Sequence, residues 1–127
     1  MTDPRLLEAV ELFNSQEFFA CHDVLEEIWS ERMENDRTLY QGLIHAAVAL
    51  HHFSEGNFGG ARKMYGSTVS YLTPFQEEAG PIDIARLLRE MEFCFEELLA
   101  AKAYPTSLTL PADRIPQLRF RPETETP

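Results

Sequence analysis

From Leu39 to Phe53 the sequence reads LYQGLIHAAVALHHF, fifteen residues without Asp, Glu, Lys or Arg in a chain that is 25% charged. Such a stretch must be buried over most of its surface, and its spacing decides in what form. Leu39, Leu43, Ile44, Ala47 and Leu50 recur at three- and four-residue intervals, the period of an α-helix rather than of a strand. Gly42, Ala46 and Ala49 make a second, small-residue face on which another helix can come close. This is the central helix of a bundle. It is too short and too rich in His and Gln to span a bilayer.

The flanking sequence supplies partners of the same kind. Asp3-Pro4 is an N-cap followed by Pro at the first helical position, with Leu6, Leu7, Val10 and Phe13 at helical spacing behind it. Asn14-Ser15 can end that helix and cap a second, running roughly from Gln16 to Arg32 with Phe18, Cys21, His22, Leu25, Ile28 and Trp29 on one stripe. MENDR is a polar turn, with Asp36 as the cap of the central helix. Gly56 ends that helix and Asn57 starts a fourth. After a loop with two prolines, Asp83 caps a fifth, carrying Ile84, Leu87, Leu88, Met91, Phe95, Leu98 and Leu99. No segment alternates as a strand would. The expected fold is an all-α compact bundle of about five helices arranged as stacked helical hairpins.

The final 24 residues break the pattern. They hold five of the chain's eight prolines, which forbids a long helix. Leu108, Leu110, Ile115, Leu118 and Phe120 between them are too apolar for a solvated tail. The expected organisation is a helical bundle over 1–103 and an extended Pro-rich arm over 104–127. The arm packs on its own bundle in preference to a neighbouring subunit, and its last residues are loose. Within the bundle, SQEFFACHDVL and EGNFGGARKMY align at an offset of 40 residues, matching Phe18 with Phe58, Cys21 with Ala61 and Val24 with Met64. That is helical-hairpin grammar, at a spacing longer than the ~34 of tetratricopeptide repeats.

Composition narrows the functions. With 21 acidic and 11 basic side chains the net charge is −10, which opposes nucleic acid and anionic membranes, since both need basic patches. Cys21 and Cys94 lie within helical patterns and read as reduced core thiols. No charged-then-apolar leader opens the sequence, so a cytoplasmic location is expected.

Within this scaffold one polar group stands out. Gln41, His45, Val48 and His52 share a narrow stripe of the central helix, whereas His51 points toward the Ile44 and Ala47 side. On the second helix His22 sits amid the apolar stripe, with Glu26 one turn on, so the two can pair or share a ligand. Counting back from the turn joining the two helices sets Trp29 near Gln41, Glu26 near Ile44 and His45, and His22 between Val48 and His52. His22, Glu26, Gln41, His45 and His52 are therefore expected to converge on one cavity. Trp29 reads as a core or rim aromatic, and Asn57 as a helix cap at the GNFGG turn, which could alternatively bind an anion.

Two readings follow. In the first, the chain is a non-enzymatic interaction or scaffold module, with a homodimer or another protein as partner, and His22/Glu26 is a buried structural pair. In the second it is a divalent-metal-dependent enzyme of hydrolase type. His22, Glu26 and His52 would then be metal ligands and Gln41 would orient water or substrate. Covalent catalysis has little support. Cys21 and His22 are adjacent and diverge by about 100° on a helix, and no GxSxG, phosphate-binding glycine loop or dinucleotide fingerprint is present.

FFACHDVLEEIW followed by QGLIHAAVALHHFSEGNFGGA resembles the bacterial and archaeal family known as domain of unknown function 309. The resemblance falls on His22, Leu25, Glu26, Trp29, Gln41, Gly42, Leu43, Ile44, Gly56, Asn57, Gly60 and Ala61. The chain departs from the pattern with Cys21 for an alanine, Asp23 for a glutamate and His45 where glutamine is common. These departures speak against His45 as an essential ligand. The resemblance implies a small helical bundle in the cytoplasm and no particular reaction.

Overall fold

The structure is a computed structural model and describes residues 3–77, 80–101 and 108–121. Five α-helices follow in order: α1 Pro4–Asn14, α2 Phe18–Glu31, α3 Glu34–Ser54, α4 Phe58–Leu72 and α5 Ile84–Ala100, with a short 3-10 turn at Thr73–Phe75 after α4. Among the described residues no strand forms. A single antiparallel bridge joins Ile82 to Phe120. The fold is an all-α bundle. Residues 104–107 and 122–127, including the expected loose end, lie outside the described part.

Helix starts follow local chemistry where a side chain can reach the free N–H groups. The Asp3 carboxylate accepts from Arg5 N at 2.9 Å with Pro4 behind it, Asn57 Oδ1 accepts from Gly60 N at 3.0 Å, and Asp83 Oδ1 accepts from Arg86 N at 3.1 Å. Two starts differ from expectation. α3 begins at Glu34 after Met33, so Asp36 lies inside its first turn, where a carboxylate favours the positive end of the helix dipole. α2 begins at Phe18 without a side-chain cap, and the chain reverses through Gln16 at φ 64°. Asn14 does not cap it. Its amide donates to Leu118 O at 3.0 Å and accepts from Leu118 N at 2.8 Å, 104 residues away.

α3 is the hub. It packs between α2 and α4, with α1 on the outside of α2 and α5 against α4. Leu43, Ala46, Ala47, Ala49, Leu50 and Phe53 on α3 are all buried. A side chain at Gly42 would collide with Leu72 and press on Tyr71 of α4, so only glycine allows this approach. Aromatic edges close the centre: Phe53 meets Phe95 edge-on at 5.2 Å, and Phe13 meets Phe18 at 5.3 Å. Phe18 with Phe58, and Cys21 with Ala61, occupy equivalent buried places in the first turns of α2 and α4.

Residues 108–121 carry no helix. Leu118 is only 1% exposed, held by the Asn14 amide. Asp83 N donates to Arg119 O and Arg121 N to Pro81 O, both at 2.9 Å. Glu90 of α5 takes Gln117 N at 3.0 Å and Arg119 Nη1 at 2.7 Å.

Candidate functional site

The polar residues singled out by sequence occupy three places along α3, not one. At the first, Trp29 Nε1–H donates to Gln41 Oε1 at 3.2 Å, and the Arg37 guanidinium lies 3.9 Å above the Trp29 ring. Gln41 is thereby a partner for a half-buried indole.

At the second, His45 turns toward α4. Its Nδ1 is 2.7 Å from Ser67 Oγ and its ring meets Tyr71 edge-on at 5.1 Å. Burial holds the His45 pKa below its ordinary value of 6.5, because desolvation penalises the imidazolium.

The third place lies between the start of α2 and the end of α3. His22 Nε2 is 2.6 Å from Glu26 Oε1, a close i,i+4 contact that is not buried as expected, since the Glu26 side chain keeps 52% of its surface exposed. On the other side of the ring, Asp23 Oδ1 is 3.3 Å from Nδ1, yet Nδ1 is buried and forms no hydrogen bond. Phe19 lies against both His22 (5.4 Å) and His51 (5.3 Å). Phe18, Phe19, His22, Val48, His51 and His52 line a pocket of about 200 Å³.

His52 borders this pocket and is tied at its other edge to α4. Since Asn57 Oδ1 already accepts from Gly60 N, the amide turns its Nδ2 toward His52 Nδ1, at 3.1 Å. An NH₂ group can only donate, so His52 Nδ1 accepts and the ring proton sits on Nε2.

The expected five-residue convergence therefore does not form, and the reason is rotation rather than register. His22 does sit level with Val48 and His52, as counting from the turn implies. But the α3 stripe runs over the seam between two neighbours. Taking Gln41 as origin at about 100° per residue, His45 falls at about +40°, on the side that Gly42 turns to α4. Val48 falls at about −20° and His51 at about −80°, the side of α2. Thus His51, set aside in the sequence reading, joins His22, and His45 leaves it. The proposed metal set of His22, Glu26 and His52 is not assembled either. Glu26 closes on His22 and His52 on Asn57, and among the described residues no group of three or more His, Cys, Asp or Glu is placed to hold a metal ion.

Phe19 was missed altogether. The sequence does carry a trace of it: Phe19 is the one apolar member of the ridge Phe19, Asp23, Glu26, Ser30, otherwise the polar outer face of α2. A further polar cluster lies at the opposite end of α2. Asp3 binds Arg5 at 2.9 Å and Arg32 at 3.0 Å, and Arg5 reaches Glu31 at 2.7 Å. The hydrogen bonds from Arg5 hold the Asp3 carboxyl down at about 2. These are latches between α1 and α2.

Fold and site define the class: a small helical-hairpin bundle with a pocketed α2/α3 face. Residues 6–64 match the family described as "Domain of unknown function (DUF309)". The chain is similar to the uncharacterized protein YpuF of Bacillus subtilis (strain 168), 34% identical over 106 residues, covering 80% of this chain and 60% of that protein. It is also similar to an uncharacterized protein of Aquifex aeolicus (strain VF5), 45% identical over 53 residues, 41% of this chain and 16% of the relative. No solved structure matches it significantly. No described helix is long and apolar enough to cross a membrane.

Proposed function

We infer that this chain is a non-enzymatic interaction module, with the α2/α3 face as its working surface and His22/Glu26 as the structural pair beside it. One observation carries the reading. Each candidate catalytic group is engaged by its own neighbour: His22 by Glu26, Gln41 by Trp29, His45 by Ser67 and His52 by Asn57. By contrast Phe19, 58% exposed beside a pocket, is an apolar side chain with no use inside the bundle. Burial pushes the Cys21 and Cys94 thiols up to about 12, which fits inert core cysteines and a reducing, cytoplasmic setting. The acidic charge favours a protein partner over nucleic acid.

The test is elemental analysis of protein purified without chelator, alongside His22→Ala and Glu26→Gln. The expected result is no stoichiometric transition metal in any of the three, with both variants folded but less stable. Stoichiometric metal in the parent that disappears in both variants would restore the metal-enzyme reading.

A further inference from the structure

We propose that the α2/α3 pocket takes the apolar anchor of a basic amphipathic helix belonging to a partner protein; this rests on the interaction-module reading and names the partner's chemistry. Three observations meet at the site.

The first is shape. The pocket between α2 and α3 has about 200 Å³, room for one large apolar side chain, and its walls are Phe18, Phe19 and Val48 with the faces of His22, His51 and His52. Two of the three imidazoles have a nitrogen already facing a polar neighbour inside the protein, Glu26 Oε1 at 2.6 Å and Asn57 Nδ2 at 3.1 Å. The pocket thus presents ring faces and hydrocarbon more than free polar atoms. That suits a leucine or an aromatic ring.

The second is charge. From Phe18 to Glu31 the chain carries Asp23, Glu26, Glu27 and Glu31 and no Lys or Arg; Glu31 is paired with Arg5, Arg37 lies over Trp29 toward the far end of the face, and from Thr38 to Glu55 the sole charged residue is Glu55. Asp23 and Glu26 keep 63% and 52% of their side-chain surface exposed, so both remain available to a cation. An acidic partner would be repelled from this face and a basic one attracted, before any apolar contact is made.

The third is spacing. Phe19, Asp23 and Glu26 follow one another at i, i+4 and i+7 along one ridge of α2. At 1.5 Å per residue the carboxylates stand about 6 and 10 Å beyond the aromatic anchor point. A helix laid alongside, with an apolar residue in the pocket and Lys or Arg one and two turns away, meets both in the same register. An extended segment would pass those distances in two and three residues and present alternate side chains to opposite faces.

The test uses the full chain and two fluorescent 14-residue peptides, an amphipathic Leu/Lys helix and its Leu/Glu counterpart, read by anisotropy. The Leu/Lys helix is expected to bind and the Leu/Glu helix not. Phe19→Ser should weaken binding at least tenfold, as loss of a central anchor does. Asp23→Asn, which breaks no hydrogen bond, should weaken it several-fold and flatten the salt dependence. Glu92→Gln/Glu97→Gln removes charge on α5 and should leave affinity unchanged, with circular dichroism confirming the fold of each variant. If the α5 variant weakens binding as much as Asp23→Asn, the attraction is diffuse and the proposal falls. Equal binding of both peptides removes the basic partner while leaving an interaction module. If neither peptide binds and the chain sediments as a dimer that Phe19→Ser dissociates, the occupant is a second copy and the proposal is overturned. If neither binds and the chain is monomeric, the module reading falls with it.

Discussion

The four histidines share one ring and have four different tasks. His22 is half of a pair with Glu26, His45 is wedged between Ser67 and Tyr71, His51 lies tilted against Phe19, and His52 accepts from a helix-capping asparagine. Their protonation consequences can be separated. Burial lowers the His45 pKa in the folded protein, so the folded state binds fewer protons there than the unfolded chain. The stability it contributes is complete above pH 6.5 and is lost as pH falls below that value through the folded pKa. Urea unfolding between pH 5 and pH 7.5 should therefore show stability rising with pH, and His45→Gln, which retains a hydrogen-bonding side chain toward Ser67, should reduce that slope. An unchanged slope in the variant would place the titration elsewhere. Spacing alone could show that His22 and Glu26 share a helix face. It could not show that the capping Asn57, its oxygen on Gly60, would turn its Nδ2 to His52, because that depends on the geometry of the turn.

At the level of helices, what could be read in advance was local. Asp3-Pro4, Asn57 and Asp83 declare their helix starts because a short polar side chain reaches N–H groups two or three residues on. Asn14 looks the same in sequence but serves a partner 104 residues away, which no local rule contains. Likewise the level of His22 against Val48 and His52 follows from counting residues out of the α2–α3 turn, since the rise per residue is fixed. The rotation of α3 does not. It is set by close packing at Gly42, which seats α3 against Leu72 and Tyr71 and turns the polar stripe over a seam. The Asn14 clasp makes a prediction at this level. Asn14→Ala leaves the backbone N–H and C=O of buried Leu118 without partners, which should cost about 1–3 kcal/mol in thermal or chemical unfolding. A stability equal to the parent's would mean that residues 108–121 do not rest on α1 in solution.

For the molecule as a whole, the family match and the pocket fall on the same part of the chain. Residues 6–64, the part matched by the family, contain most of α1, all of α2 and α3 and the first turns of α4, hence Phe19, the whole α2/α3 pocket and its acidic ridge. The chain spans 60% of the YpuF length, so whatever the remainder of that relative does lies outside what the two share here. In this chain the matched stretch holds a helical hairpin whose core is closed and whose outer face carries a pocket. The central claim is that these histidines serve separate neighbours and do not form a metal centre. Its most direct test is a zinc titration followed in long-range ¹H–¹⁵N spectra of the imidazole rings. Up to one equivalent of zinc, the His22, His45 and His52 ring signals should not shift in concert, and His52 should show the proton on Nε2. A joint, saturating shift of His22 and His52 at one equivalent, lost in Glu26→Gln, would contradict it.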